Sequence, residues 1–573
     1  MSLLTDVHDR IEQAREAPGC ASELHWTSFA EFFRSRLYDP RLVTRNFLTY
    51  CDDDRNLRRT YSYAEFGTIV ERMAEMFHAK FGLTRGDRIA TVLFNHDLTA
   101  LIYFAAWTLG VAVVPINVEE TPEKKRYILE HSEASVALCW QDVYEELKAL
   151  QSMLPALREV VALGDGGILD GKETRGKSRK NSHAVGARFA LGTSRLDDPA
   201  LIIYTSGTTG PPKGVILTVA NLLIDADAIA DRHGFGLTDR LMCVLPVHHV
   251  NGIVVTLMTP FYCKGSVVLN RKFKTGSFWR RLHDEQATSV SVVPTLLEFL
   301  LDADEDLAAY RLDRFGGVIC GAGPLLKDTA LRFEERFGFP IRHGYGLSET
   351  TCYSCFLPND LTGEEHRHWL TDFDFPSIGT ALRHNEMAIL DESGKAVAEQ
   401  ARGEICIRGR TVCAGYFKRD DANDAAFQWG RFRSGDEGFY IADDRGRPFF
   451  FISGRLKELI VRGGVNISPL EIDDVLKGHP AVQFAMALPF ENRYYGEEIA
   501  AYIVPKDPAS PPTEADIRDH CRGRLPFAKQ PKVLVMGTEV PYTSTGKPKR
   551  LELKSRLAGT LAQYRDRQFK GPG

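Results

Sequence analysis

Apolar positions recur along this chain with two periods. Stretches with helical spacing, such as Tyr63–Phe77, give way to short β-branched runs such as Ile89–Phe94. Further on, Ser289–Val293 and Gly317–Cys320 are short apolar strands that end in Gly/Pro loops. Strands alternating with helices predict an α/β fold: helix-covered, largely parallel sheets, since each helix buries its apolar stripe against a sheet face. Ligands in such folds sit at the carboxyl ends of the strands. Leu98–Val118 carries no charge and is long enough to span a bilayer. Gly110 and Pro115 punctuate it, and Val111–Val114 reads as a strand, so a buried helix and strand are expected rather than a membrane span.

The pattern changes near the C-terminus. After Gly454 come a strand-like Glu458–Val461, a helix Pro469–Lys477, strands Gln483–Leu488 and Ile499–Val504, a helix Glu514–Leu525 and a strand Lys532–Met536. Pro469 suits a first helical turn, with Glu471 near the positive end of the dipole. This is a compact α+β unit, large enough to fold alone. The expected division is 1–454 and 455–573, a large N-terminal domain and a small mobile C-terminal one. Gly164–Arg188, rich in Gly, Ser, Lys and Arg, reads as a solvated loop insertion.

Composition narrows the class. Hydrophobic residues at 44% and charged residues at 26% exclude a disordered chain. A net charge of -5 gives no global basic excess for nucleic acid or an anionic membrane. The acidic and basic residues of the N-terminus exclude a secretory signal and suggest a short amphipathic helix. The 11 cysteines are scattered through apolar runs and read as core residues in a reducing compartment, the cytoplasm. Cys352 and Cys355 lack a second ligand pair, and His366 and His368 lie in a charged stretch and read as solvated.

The strongest chemical signal is Tyr204-Thr205-Ser206-Gly207-Thr208-Thr209-Gly210-Pro211-Pro212-Lys213-Gly214, directly after the apolar run Ala200–Ile203. Small residues and hydroxyls there offer closely spaced donors to a polyphosphate, and Lys213 adds a cation. Pro212 before the lysine and Gly214 after it exclude a Walker A loop.

This loop resembles the signature of the adenylate-forming superfamily, which includes acyl- and aryl-CoA synthetases. Other motifs follow in the family's order: Gly344-Tyr345-Gly346-Leu347-Ser348-Glu349-Thr350, Ser434-Gly435-Asp436, Gly454-Arg455-Leu456-Lys457-Glu458 with Gly463-Gly464, and Thr545-Gly546-Lys547. The resemblance spans roughly residues 60 to 555. It implies that a carboxylic acid attacks the α-phosphate of ATP, and that the acyl-adenylate then passes to CoA. A carrier-protein phosphopantetheine is the alternative acceptor, and a non-catalytic nucleotide-binding relative is the alternative class.

The resemblance also implies roles. Thr205 and Glu349 would hold Mg²⁺, since a hydroxyl and a carboxylate suit a hard cation. Thr205, Ser206, Gly207, Thr208, Thr209, Gly210 and Lys213 would cradle phosphates. Gly321, Ala322, Gly323, Gly344, Tyr345 and Gly346 would form the adenine pocket, with Tyr345 stacking on the base through a ring face left open by its glycines. Ser348 would bond a phosphate oxygen, and His343 stands at a purine-contacting position. Asp436 would accept from the ribose hydroxyls, beside Arg455. Lys547 would bridge the acyl carboxylate and α-phosphate, where its charge stabilises the transition state. Rotation about Lys457 would then bring Gly463 and Gly464 to line a pantetheine tunnel.

His249 aligns with a gate residue; locally it reads equally as a core histidine. The acid pocket would draw on Asn251–Met258, the region after Pro294-Thr295, Ile319–Gly323 and His343–Gly346. A medium acyl chain, a ring acid or an aromatic acid would all fit it.

Overall fold

The structure is a computed structural model that describes residues 7–16, 24–164, 167–168, 194–205, 211–543 and 547–569. The expected alternation produces two large sheets in the N-terminal part. One has seven strands. Its core, Arg88–Val92, Ala112–Ile116, Val136–Trp140, Glu159–Gly164 and Pro199–Thr205, is parallel, and Lys213–Thr218 closes one edge antiparallel. The other has fourteen strands and two characters. Asn46–Asp52, Ser266–Asn270, Arg240–Cys243, Ser289–Val292, Val318–Cys320 and Ile341–Tyr345 run parallel. From Ile341–Tyr345 onward the pairing turns antiparallel, through Cys355–Phe356, Ser377–Ala381, Pro448–Arg455 and Arg431–Ala442.

The uncharged segment is, as expected, a helix (Asp97–Thr108) followed by a strand (Ala112–Ile116). The helix is buried almost all round because it touches strands of both sheets, and its neighbours share one apolar core. An uncharged surface is what such a sandwiched helix needs. Among the described residues no helix is long and apolar enough to cross a membrane. The N-terminal helix is Val7–Arg15, whose Ile11 and Ala14 are buried. Most of Gly164–Arg188 lies outside the described residues.

The small C-terminal domain has a sheet of its own. Val482–Asn492 and Gly496–Pro505 form its central hairpin, joined by Val533–Met536 and the short pair Ile460–Arg462 and Val465–Ile467. Helices Pro469–Lys477 and Glu514–Arg522 cover one face around Ile472, Leu476 and Ile517. Helix Arg550–Ala562 covers the other through Leu553 and Leu561. Pro469 starts its helix as expected, and the Ser468 hydroxyl accepts from Leu470 N.

One expectation needs correction. His366 is not solvated: its Nε2 lies 2.8 Å from Glu334 Oε1, where helix Gly363–Thr371 packs on Lys327–Phe337. His368 is exposed, beside Asp372 at 2.8 Å. A charged stretch at helical spacing found a partner on a neighbouring helix, which local sequence does not reveal.

Candidate active site

The expected residues gather where several parallel strands end. Pro199–Thr205 and Lys213–Thr218 form an antiparallel pair with Thr205 opposite Lys213, so the phosphate-loop candidate is the connection of a hairpin. Ser206, Gly207, Thr208, Thr209 and Gly210 lie outside the described residues. Lys213 Nζ sits 4.7 Å from the centre of the Tyr416 ring, and Tyr416 donates to Glu349 Oε1 at 2.9 Å. Burial pushes the Lys213 pKa down, and Glu349 opposes this. Tyr416 therefore links the two expected phosphate-side groups. Sequence reading missed it because no motif contains it; its ring reaches the site from the bridge between Val215 and Tyr416.

Asp436 and Arg455 face each other across neighbouring strands. Arg455 Nε approaches Asp436 Oδ1 at 2.8 Å, and Tyr345 donates to Oδ2 at 2.7 Å. Burial raises the Asp436 pKa and Arg455 pulls it back; the same pairing raises that of Arg455. Both carboxylate oxygens are thus already engaged, though each keeps a second lone pair for a ribose hydroxyl.

Tyr345 is buried, 7% exposed. The glycines beside it have a packing reason of their own. A Cβ on Gly344 would strike the Phe356 ring, and one on Gly346 would sit 1.9 Å from Cys352 O. The close backbone return through Cys355–Phe356 demands glycine there.

Between Glu349 and that return lies a strained turn. Thr351 has φ +66 and ψ -61, and Cys352 N donates to Thr350 O at 2.8 Å. This is a γ-turn, a rare conformation for a β-branched residue. Three bonds enforce it: Thr351 Oγ1 to Thr411 O at 2.6 Å, Ser354 Oγ to Thr350 Oγ1 at 2.9 Å and Cys413 N to Glu349 O at 2.8 Å. Strain of this kind persists only where the surroundings over-determine it, and here it fixes the backbone carrying Ser348 and Glu349. Ala322, between Gly321 and Gly323, also has a positive φ of +63.

The histidines are neutral by position. His343 is buried, its Nδ1 is 2.8 Å from Ser377 O, and burial pushes its pKa down to about 4. That ring nitrogen faces a strand carbonyl rather than a purine. His249 lies beside His248, ring centres 4.5 Å apart, and burial pushes its pKa well below the usual histidine range. Asn251 opens a π-helix, Asn251–Met258, a rare form frequent at functional sites.

Lys547 belongs to the C-terminal domain yet reaches this cluster. Burial pushes its pKa down to about 8, aided by Arg455 and opposed by Asp436, Glu349 and Cys352. His249 senses the same ammonium. Gly463 and Gly464 do not join the site. With φ of +60 and +81 they form the exposed two-residue turn between Ile460–Arg462 and Val465–Ile467. Such a hairpin turn needs positive φ at both positions, so glycine has a local reason here. Lys457 lies in an exposed turn, near enough to Lys213 to affect its titration.

Comparisons with known proteins identify the family. The family model described as AMP-binding enzyme matches residues 44–417, and that of the AMP-binding enzyme C-terminal domain matches residues 471–547. The chain belongs to the AMP-binding enzyme family. It is 35% identical to a sulfoacetate–CoA ligase of Cupriavidus necator over 83% of this chain and 89% of that protein. It is 30% identical to an oxalate–CoA ligase of Arabidopsis thaliana over 85% of this chain and 92% of that protein. A solved o-succinylbenzoate CoA synthetase of Bacillus subtilis, bound to its acyl-adenylate intermediate, superposes with a TM-score of 0.75 at 26% identity, covering 91% and 97% of the two chains. The activity is of the same kind: ATP-dependent activation of a carboxylic acid, then thioester formation with CoA.

Proposed function

We propose that this site makes an acyl-adenylate in the arrangement described above and transfers the acyl group to CoA in a second arrangement, reached by rotating residues 455–573 about Lys457. What supports the reading is that the Lys547 ammonium, carried by the C-terminal domain, is within electrostatic reach of Asp436, Arg455 and Glu349. A carboxylate and the α-phosphate repel each other, and an ammonium between them offsets the charge that grows in the transition state. Asp436 and Arg455 orient the ribose, and Tyr345 lies against the adenine. Lys213 and the 205–210 loop neutralise the departing pyrophosphate.

The chemistry of the expected donors fits Mg²⁺: one carboxylate held by Tyr416 and one strand-end hydroxyl, both hard oxygens. Glu349 and Thr205 would hold the ion, and it would neutralise phosphate charge. The exposed Gly463–Gly464 turn is poised for the second arrangement, where glycine lets a narrow thiol arm pass close to backbone. We place the enzyme in the cytoplasm, because all ten described cysteines are free thiols and nine of them are buried.

The test is pyrophosphate release with Mg-ATP across a panel of carboxylic acids, with and without CoA. Continuous turnover that needs one class of acid and yields its CoA thioester is the expected result. Release that stalls near one equivalent despite CoA would replace CoA with a carrier-protein acceptor. No release with any acid would overturn the ligase reading.

A further inference from the structure

The acid-binding region expected above holds a buried polar cluster. One side chain that no motif contains, Tyr353, stands in its middle. It is fully buried, 1% exposed. Its hydroxyl accepts from Asn251 Nδ2 at 3.2 Å, and Asn251 Oδ1 accepts from Ser291 Oγ at 2.7 Å. Asn251 opens the π-helix, and Ser291 lies on the parallel strand Ser289–Val292, so the trio ties together elements expected to surround the acid. The phenol also abuts the third, the loop after Val318–Cys320. A Cβ on Gly321 would come within 2.6 Å of the Tyr353 oxygen and 2.7 Å of Gly344 O.

The ring is clamped as well as enclosed. Its centre lies 4.1 Å from that of Phe356. Its backbone N–H donates to Asp225 Oδ2 at 3.2 Å, from the buried helix Val219–His233 beneath. The strained turn at Thr351 fixes the chain two residues earlier. A buried polar trio whose bonds close on one another has little freedom to part. An alkyl tail driven into it would leave amide and hydroxyl groups unpaired, a penalty that an apolar contact does not offset.

We infer that Tyr353, locked to Asn251 and Ser291, is the floor of the acid site and restricts this enzyme to short carboxylic acids. This rests on the ligase reading above and replaces the medium-chain, ring or aromatic acid expected from the sequence. Specificity here is exclusion: a short acid leaves the trio intact, and a long or aryl acid must break it. Cys352, the neighbour of Tyr353, lies within electrostatic reach of Lys547, the residue expected to bridge the acid and the α-phosphate.

The experiment is acid-dependent pyrophosphate exchange over a straight-chain series from acetate to octanoate, plus benzoate, for wild type, Tyr353→Val and Tyr353→Phe. Wild type is expected to lose kcat/KM by about tenfold or more between butyrate and octanoate, a discrimination of the size that a closed pocket provides. Tyr353→Val, which opens space below the acid, is expected to raise octanoate or benzoate kcat/KM by about tenfold relative to propionate. Tyr353→Phe keeps the ring but removes the bond to Asn251, and is expected to relax the cut-off by less than Tyr353→Val does. Equal use of octanoate and propionate by wild type would overturn the inference and leave the ligase reading standing, and this arm needs no variant to fold. A folded Tyr353→Val enzyme with an unchanged chain-length profile would overturn it too. Wild type inert with every acid would overturn the ligase reading, and the inference with it.

Discussion

The large domain and the small one contribute to the site in different ways. In the large domain the groups are tied together in advance: Tyr345 to Asp436 and Glu349 to Tyr416, with the γ-turn at Thr351 holding the backbone between. In the small domain one candidate element is inside the site and the other is on the surface. Lys547 is within electrostatic reach of Asp436 and Glu349, while the Gly463–Gly464 turn is exposed. A preorganised half lowers the reorganisation needed at the moment of reaction. In the reading proposed above, a half that presents one element at a time would let a single site serve two reactions.

Removing Lys547 tests that contrast most directly. Lys547→Ala is expected to cut adenylation by about a hundredfold to a thousandfold, the size of losing one preorganised charge-stabilising donor. Thioester formation from a supplied acyl-adenylate is expected to fall far less. Equal loss of both half-reactions would erase the distinction between the domains.

The small domain also depends on a buried ion pair. Arg550 Nη2 meets Asp473 Oδ2 at 2.6 Å, and the same guanidinium reaches Glu458 at 3.3 Å, beside the expected hinge. Asp473→Ala leaves that guanidinium buried without its main partner, a change that costs about 3 kcal/mol or more. Denaturant unfolding followed by C-terminal probes should show the loss. ATP binding by the large domain should persist, and a parallel loss of ATP binding would mean that the large domain's network is not independent.

Stiffening Lys457 is expected to act in the opposite sense to removing Lys547. Lys457→Pro should slow thioester formation by about tenfold or more while adenylation persists, because hinges are few residues that absorb a backbone change. Unchanged thioester formation would move the hinge elsewhere.

The pH profile sharpens the same point. The Lys547 ammonium loses its proton as pH rises through about 8 in the free enzyme. The kcat/KM for adenylation, which reports the free enzyme, should therefore fall above that pH. Under saturating substrates the fall in kcat should come at higher pH, since bound anions favour the charged lysine. A kcat/KM flat past pH 9 would remove Lys547 from the charge-stabilising role.

The smallest effect is expected at the contact between domains. Lys477 Nζ lies 2.6 Å from Glu298 Oε1, and Asp474, pushed up to about 6 by burial, sits near the first backbone amides of helix Lys327–Phe337. Lys477→Ala should cost the closed arrangement up to about 1 kcal/mol. That would show as a shift of a few fold in the ratio of thioester formation to adenylation rates.

Much of this was legible in the chain. The period of the apolar positions located helix Pro469–Lys477, the strands around it and the sandwiched helix Asp97–Thr108, because burial on one face or on all faces writes itself into local spacing. The motifs singled out Thr205, Lys213, Glu349, Asp436, Arg455 and Lys547 as candidates, because phosphate and ribose chemistry would need particular side chains after particular strands. Tyr416, Tyr353, Ser291 and Asp225 were not legible. Each is an ordinary residue in its own segment and gains its role only from a partner far along the chain: Glu349 for Tyr416, and Asn251 and Asp225 for Tyr353.

The glycines mark the same divide. Their positions were readable, but Gly344 and Gly346 are required by a returning strand, and Gly463 and Gly464 by a hairpin turn. The sequence alone determined the α/β architecture, the two-domain organisation and the kind of chemistry, since all three follow from local periodicity and residue type. Only the tertiary structure decided what stands between those groups: the closed polar floor under the acid, the strained turn beside Glu349, and which element of the small domain is inside. These are contacts between segments distant in sequence, and local patterning carries no record of them.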